Sequence, residues 1–240
     1  MRSSISPRLR GIIKRQVRFC ECHRCLNSRF TVRAFEPDPV HKGTILKILD
    51  AATNAPSSGN TQPWELFVAG GDALDRLRRA FEERFRKGVP QPRSTGTATM
   101  APGLQKRMDE LKAARFASLG IEPEDAAARQ AMSERTHQLF GAPTVVYLCM
   151  DRTLTAWSIF DIGLLAQSIM LAAQKYGVDS AAAALLISYP DLIPAELEIP
   201  EDVWILMGVA LGYRDRQHPL NQYRNPRRPL QEVVRLKGLT

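Results

Sequence analysis

The segment from Ser158 to Tyr176 is long enough for about five helical turns and is apolar on more than one face. A helix of this kind must be buried on most of its sides, which a chain of 240 residues achieves by dimerising. Asp161 and Gln167 are its polar exceptions, and we interpret each as a capping or interface hydrogen bond. Alanines would let another helix approach closely, at Ala166, Ala172 and Ala173.

Further apolar runs predict a sheet between amphipathic helices. The run Thr144-Val145-Val146-Tyr147-Leu148 is apolar and β-branched, which indicates a central strand. Strands are also predicted at 64–68 and 203–211, with helices at 43–53, 72–86, 158–176 and 190–197. Residues 87–141 predict a helical insertion with helices near 104–116 and 126–139, and Phe116 and Phe140 are candidate walls of a pocket beneath it.

The formal net charge of +8 is concentrated at the start of the chain. Residues 1–28 hold seven basic side chains against Glu21 alone, which leaves the remainder nearly neutral. We expect residues 1–27 to be a disordered extension and residues 28–240 to form one domain. The composition of the extension overlaps with that of transit peptides, and a start codon upstream of the true one is an alternative. The nearly neutral body predicts no nucleic-acid partner. No apolar run approaches the roughly 20 residues of a membrane span, so no membrane partner is expected either.

Three cysteines and a histidine stand close together in the extension, as Cys20, Cys22, His23 and Cys25. In principle they supply four zinc ligands, but the spacing is too cramped for two separated ligand pairs around a tetrahedral ion. We therefore predict no metal site. Cys149 lies within an apolar strand and is interpreted as a small buried hydrophobe.

Two short segments are more polar than packing requires. The first places Arg29, Thr31 and Arg33 within five residues, and the planar donor forks of arginine suit a phosphate. The second, Pro56-Ser57-Ser58-Gly59-Asn60-Thr61-Gln62-Pro63-Trp64, carries hydroxyls and carboxamides that suit a heterocycle with carbonyl and ring-nitrogen edges. For Trp64 itself, core packing is the preferred interpretation.

Together the segments resemble the flavin-binding signature of the nitroreductase family. That family usually has Arg-Arg-Ser-x-Arg near its start and Pro-Ser-Ser-x-Asn-x-Gln-Pro-Trp one helix later. The second motif is complete here, at Pro56, Ser57, Ser58, Asn60, Gln62, Pro63 and Trp64. The first departs at Phe30, which lacks the usual polar donor, and at Thr31, which keeps the hydroxyl of serine.

The resemblance, over residues 28 to about 235, implies an α+β fold with a mostly antiparallel sheet and an intertwined homodimer. It implies FMN as cofactor, with Arg29, Phe30, Thr31, Arg33 and Arg227 near its phosphate and Ala183 and Ala184 approaching the ring through their backbone. The Pro56–Gln62 loop would serve the flavin of the partner subunit.

The implied activity is electron transfer from NADH or NADPH to a flat nitroaromatic, quinone or similar acceptor by a ping-pong mechanism in the cytoplasm. Catalytic side chains are not expected, because the flavin carries the chemistry. The same fold and flavin also support reductive dehalogenation, enone reduction or flavin fragmentation. The alternative that is not an enzyme is a zinc-binding or nucleic-acid-binding module formed by the Cys-rich extension.

Overall fold

A four-stranded sheet lies at the centre of the computed structural model, which describes residues 21–91, 100–122 and 124–239. Its strands are β1 Glu65–Gly70, β2 Thr144–Asp151, β3 Asp179–Ala183 and β4 Val203–Gly212. They are arranged in the order β1-β2-β4-β3, and every neighbouring pair is antiparallel. The predicted α+β class with an antiparallel sheet is therefore confirmed.

Helices cover both faces of this sheet. In chain order the helices of the described residues are α1 Glu21–Ser28, α2 Lys42–Ala52, α3 Gly71–Arg86, α4 Pro102–Ser118, α5 Ala126–His137, α6 Ala156–Lys175, α7 Leu192–Leu197, α8 Pro219–Gln222 and α9 Leu230–Val233. The apolar stripe of α3 packs on one face of the sheet, while α2 and α6 pack on the other. Two hydrophobic cores result, one on each face.

The position of β2 between two cores explains why its sequence is apolar without interruption. Val145, Tyr147 and Cys149 point into one core, and the alternating residues Val146 and Leu148 point into the other. A strand covered on both faces needs an apolar side chain at each position. Cys149 is fully buried, and burial raises the pKa of its thiol to about 12, so it is protonated at neutral pH.

β3 is a strand that the sequence did not predict. Its alanines have low β propensity, but the strand pairs with β4 along its whole length at the edge of the sheet. The first polar segment lies against its free side, where Thr31 forms a parallel bridge to Ser180 and the Val32 N–H donates to the Ser180 carbonyl at 3.1 Å. Strand β3 therefore carries the first motif.

The expectation of a disordered extension over residues 1–27 is wrong for its last part. Residues 21–28 form α1, which packs on the C-terminal half of α6, and the Ser28 hydroxyl donates to Gln174 Oε1 at 3.2 Å. A polar helix of this length is not stable by itself, and its packing against α6 stabilises it. Residues 1–20 lie outside the described part of the chain, and so does Cys20 of the metal prediction. The described residues contain no group of three or more side chains that could hold a metal ion.

Helix α6 contradicts the expectation that no apolar run approaches the length of a membrane span. It has 20 residues, and an 18-residue window of it has a mean hydropathy of 1.5, so length and composition alone would allow it to cross a membrane. Its inner face instead packs on the sheet, where Leu165 and Ile169 are fully buried. Its outer face begins with Trp157 and Phe160, which are 74% and 60% exposed in a single chain.

Candidate functional site

The first motif is fixed to the opposite end of the chain through Asn221 in α8. Asn221 is buried; its Oδ1 accepts from the Arg33 backbone N–H at 2.9 Å, and its Nδ2 donates to the carbonyls of Ala34 and Asp215. The backbone of the arginine segment is thus held from both sides, by β3 and by α8. Nothing in the sequence pattern marked Asn221, because its partners lie far away along the chain.

Arg29 and Arg227 come from opposite ends of the chain and lie close together. Burial lowers the pKa of Arg29, and the neighbouring charge of Arg227 lowers it further. Arg227 donates to the backbone carbonyls of Asn225 and Pro226, and no carboxylate of the described residues pairs with either guanidinium. Two like charges without an acid between them are electrostatically suited to an anion.

Arg33 faces a different arginine. Burial lowers its pKa to about 10, and the charge of Arg115 on α4 is the second cause. The guanidinium donates to the Thr31 carbonyl at 3.0 Å and keeps its charge at neutral pH. That Arg29, Arg33 and Arg227 surround one phosphate stays a prediction. Arg29 lies near Arg227, whereas Arg33 lies near an arginine that the sequence analysis did not single out.

Phe30 has a role that explains how this chain accommodates its departure from the motif. The guanidinium of Arg224 lies 3.3 Å from the centre of the Phe30 ring, and that of Arg214 lies 5.4 Å from it. Arg224 also donates to the Asn221 carbonyl at 2.7 Å. The aromatic face therefore orients two cations beside the first motif where a polar donor would otherwise stand.

The Pro56–Gln62 loop is built on backbone that most side chains disfavour. Gly59, Asn60 and Gln62 all have positive φ, at 58°, 58° and 47°. Two contacts stabilise this shape: the Ser58 N–H donates to Asp161 Oδ2 at 3.1 Å, and the Ser57 hydroxyl accepts from the Gln62 N–H at 3.0 Å. Asp161 confirms the interpretation of a hydrogen-bonding role on α6, and the side chains of Ser58, Asn60 and Gln62 are left exposed.

The loop and the arginine motif lie at opposite ends of α6. Asp161 holds the loop in the first half of the helix, whereas Gln174 contacts Ser28, directly before the motif, near the helix end. At 1.5 Å per residue the two anchors are about 20 Å apart along the helix axis. A single chain therefore does not bring the two predicted groups of flavin ligands together.

Ala183 is the last residue of β3, and Ala184 is the first residue of a 3₁₀ turn at Ala184–Ile187. Ala184 is exposed, and Leu186 of the same turn is buried against Gly208 of β4. A Cβ at Gly208 would lie 2.5 Å from that of Leu186, so only glycine lets the turn approach the strand this closely. The backbone of Ala183 and Ala184, which was predicted to approach the flavin ring, is thus fixed by the sheet, and Ala184 is accessible to solvent.

A cavity of about 180 Å³ connects this segment with the first motif and the insertion. Thr31, Arg33 and Ala183 line it from the body, while Arg115 and Arg135 line it from α4 and α5. Phe140 also lines it, as the sequence predicted for a pocket wall; Phe116 lines larger, more open cavities between α4 and α5.

Sequence reasoning missed Arg115, although a signal was present. Leu104, Met108 and Leu111 recur along α4 at spacings of four and three, and the next position of that stripe is Arg115. The stripe is not a buried face in the structure, since Leu104 and Met108 are exposed and only its later positions, Leu111 and Arg115, are half-buried. The Nε of Arg115 is buried and has no hydrogen-bond partner in the described part of the protein.

The histidines of the described residues serve local structure. His41 accepts from the Gly43 N–H and caps α2, and His218 accepts from the Leu220 N–H and caps α8. His137 stacks on Phe85 with ring centres 4.0 Å apart, and burial lowers its pKa. Trp64 packs with the core on the α6 side of the sheet, as the preferred interpretation had it.

The donor set fits FMN. Arginines without acidic partners suit its phosphate, an accessible backbone edge at Ala184 suits a flat ring system, and the exposed amide side chains of the loop suit the edge of a heterocycle.

Comparison with known proteins gives the same result. Residues 26–213 match the family model described as the nitroreductase family. The chain is 35% identical over 217 residues to nitroreductase NfnB of Mycolicibacterium smegmatis, covering 88% of this chain and 91% of that protein. It is 32% identical to nitrobenzene nitroreductase of Ectopseudomonas oleovorans, over 87% and 93% of the two chains. Among solved structures, the FMN-dependent NfnB from Mycobacterium smegmatis in complex with NADPH superposes with a TM-score of 0.84, at 32% identity and over 91% and 99% of the two chains.

Proposed function

The chain belongs to the nitroreductase family, and we propose that it acts as an FMN-dependent oxidoreductase that passes electrons from NADPH or NADH to nitroaromatic acceptors. Relatives of similar length carry this activity in their names, and the structure of one contains NADPH. A quinone or another flat, electron-poor molecule is an equivalent acceptor, since the flavin is the electron donor in each case.

The single observation that carries this proposal is that Arg29 and Arg227 lie near each other, while no carboxylate of the described residues pairs with either guanidinium. Each charge-assisted contact to a phosphate contributes about 1.5 to 3 kcal/mol, so two or three contacts retain a cofactor without a covalent bond. Arg224 lies over the ring of Phe30, the residue next to Arg29, and donates to the Asn221 carbonyl. Binding an anion there also relieves the repulsion between the arginines.

The remaining predicted residues would address the ring and the ribityl chain. Thr31 and Arg33 border the cavity beside Ala183, and the backbone of Ala183 and Ala184 would donate to the ring edge. FMN supplies the hydride and electron transfer, and this chain binds it, orients it and leaves one side open to the acceptor. No proton-transfer side chain is needed for this role.

A homodimer completes the site in this proposal. The separation of about 20 Å along α6 leaves the Pro56–Gln62 loop without the arginine motif of its own chain. The exposed aromatics Trp157 and Phe160 lie next to that loop on α6 and need a partner surface. A second copy would cover them and bring its loop over the flavin, consistent with dimer burial of an apolar helix. A cytoplasmic location remains the corresponding prediction.

Absorbance of the purified protein tests the function directly. We expect two flavin bands in the visible spectrum, which bleach under anaerobic NADPH or NADH and return when a nitroaromatic is added. A colourless protein that takes up no added FMN would refute the proposal. If the flavin bleaches but nitroaromatics do not reoxidise it, the protein binds FMN but does not use these acceptors. Dehalogenation, enone reduction or flavin fragmentation would then be the activities to test.

A further inference from the structure

An apolar groove of about 610 Å³ lies between the first half of α6 and the first half of β4, and we call it the α6–β4 groove. Ile159 and Gly163 form part of its α6 side, and both are exposed in a single chain. Trp204 and Leu206 line it from β4 and are only half-buried. None of the residues proposed to hold FMN lines the groove, so it is separate from the flavin site.

The groove faces another side of α6 than the exposed aromatics Trp157 and Phe160. At about 100° per residue, the groove positions 159, 162, 163 and 166 cluster on one side of the helix. Trp157 and Phe160 lie roughly 170° and 110° away from the centre of that cluster. A second copy that covers these aromatics therefore does not by itself fill the groove.

The border of the groove is acidic. Residues 190–202 connect two parts of its lining and hold five carboxylates and no lysine, arginine or histidine. Arg152 is the basic residue among the described lining residues, and its Nε donates to the Glu201 carbonyl at 2.7 Å. Two of the five carboxylates pair with arginines of α3. Three are exposed and take part in no ion pair of the described part of the protein: Glu198, Glu201 and Asp202.

The complementary pattern occurs in the sequence of residues 8–19, which precede the described residues. Their apolar side chains recur at the spacing that is typical of one side of an amphipathic helix, at Leu9, Ile12, Ile13 and Val17. The opposite side of such a helix would carry the basic residues, Arg8, Arg10, Lys14, Arg15 and Arg18. The segment contains no acid, and the proposed function gives its charge no role.

The groove lies within reach of this segment. Helix α1 begins at Glu21 and packs on the C-terminal half of α6, where Ser28 contacts Gln174. Gln174 is about 12 to 22 Å along the helix axis from the groove residues Ala166 and Ile159. Twenty residues span up to about 66 Å when extended and about 30 Å as a helix. A short tether of this kind also gives an effective concentration of about a millimolar.

We propose that residues 8–19 dock in the α6–β4 groove of their own chain, with the apolar side in the groove and the basic side at its acidic border. The groove has about four times the volume of a cavity that holds benzene, which is sufficient for the side chains of Leu9, Ile12, Ile13 and Val17. Docking removes apolar surface of both partners from water and places opposite charges side by side. This interaction goes beyond the proposed function, because it involves neither the flavin nor its acceptor.

A photo-crosslinking amino acid in place of Ile13 tests the docking in the full-length protein. Benzoylphenylalanine at this position should crosslink to residues 157–166 of α6 or 203–207 of β4, as identified by mass spectrometry of the digest. At position 18, on the basic side, it should label the groove about tenfold less, because residues on opposite sides of a helix point apart. Absence of groove crosslinks from position 13, or crosslinks to the exposed C-terminal residues 230–239 in their place, would overturn the proposal.

The mass of the crosslinked product distinguishes docking within one chain from docking on a second copy. We expect the product to run in a denaturing gel at the mass of a single chain, 26.8 kDa. A product of twice that mass would show that the segment reaches the groove of another copy, and the proposal would then be wrong.

Gly163→Phe fills the groove from α6. A Cβ at Gly163 has no neighbour within 4 Å, so the new side chain enters free space. Crosslinking from position 13 should fall about tenfold, because the ring takes the volume that the segment needs. Gly103→Phe adds the same ring to an exposed glycine of α4 and should leave the crosslinking unchanged. Equal yields in these two variants would contradict docking in the groove.

A triple substitution tests the acidic border. Glu198→Gln, Glu201→Gln and Asp202→Asn together should reduce the crosslinking about threefold, because each exposed ion pair contributes little by itself. The matched control removes three exposed carboxylates that lie elsewhere, with Asp38→Asn, Asp50→Asn and Glu124→Gln. The same yield in both triple variants would overturn the proposed orientation of the basic side.

Anionic vesicles test the other surface that suits a basic amphipathic segment. The full-length protein should not co-sediment with vesicles of phosphatidylcholine and phosphatidylserine, because the groove covers the apolar side of the segment. Co-sedimentation that Ile13→Asp abolishes would assign the segment to a lipid surface and overturn the proposal. None of these measurements needs the flavin, so a colourless protein would refute the oxidoreductase and leave this test intact.

Discussion

Asn221 shows how a single side chain assembles a site from distant parts of the sequence. Its side-chain amide accepts from the motif backbone and donates to two carbonyls, and the backbone carbonyl of Asn221 accepts from Arg224. Buried amides that satisfy several partners at once fix relative positions more strictly than apolar contacts do. Asn221 thus connects the first motif, near one end of the chain, with Arg224 near the other.

Arg227→Ala should reduce FMN retention while the fold is kept. Removing one charge-assisted contact weakens binding by about 10- to 100-fold. The measurement is the ratio of flavin to protein absorbance after dialysis. Arg228→Ala is the matched control, because the adjacent Arg228 pairs with Glu232 on the surface. Equal occupancy in the two variants would show that Arg227 does not hold the phosphate.

At this scale the residue types predicted the chemistry better than they predicted the contacts. The pairing of Arg29 with Arg227 was expected, because both match a known motif. The proximity of Arg33 to Arg115 was not expected, since the insertion matches no part of that motif. Phe30 was considered a lost donor, and the structure gives it two cations.

The contact between strand β4 and the 3₁₀ turn at Ala184–Ile187 is the element on which the flavin-approach segment rests. Gly208→Ala should destabilise the protein, because the new Cβ meets Leu186 at 2.5 Å. Overpacking of this kind reduces the free energy of unfolding by about 1 to 3 kcal/mol. The midpoint of thermal unfolding should fall by about 2 to 4 °C for each kcal/mol. Gly163→Ala on α6 has no neighbour within 4 Å of the new Cβ and serves as the control; similar melting curves for both variants would contradict the role of Gly208.

Most elements were predictable because their patterns are self-contained. The helices over 43–53 and 72–86 and the strand over 203–211 agree with the structure to within two residues. Strand β3 was not predictable, since its alanines become a strand only through pairing with β4. The helix over residues 21–27 was likewise not predictable from the sequence, because it depends on packing against α6.

For the whole molecule, the separation of loop and motif gives a test of subunit sharing. Asn60→Ala and Arg227→Ala should each lower flavin occupancy as homodimers. In a mixed dimer of the two variants, one site would receive an intact motif and an intact loop, so about half of the normal occupancy should return. The measurement uses two affinity tags and the flavin-to-protein ratio of doubly purified dimers.

Sites built within one chain would give a different result. Each site of the mixed dimer would then carry one defect, and occupancy would stay at the level of the homodimers. The mixed protein also serves as its own control for assembly, because only dimers pass both tags. A monomer in sedimentation would exclude shared sites altogether.

The anchoring of the first motif by Asn221 also determines when the cofactor can be acquired. Arg29 leaves the ribosome early, but its neighbour Arg227 and the Asn221 amide that anchors the motif backbone are translated nearly two hundred residues later. Flavin loading must therefore follow synthesis of almost the entire polypeptide. A nascent chain stopped before α8 would carry the arginine segment without the geometry to use it.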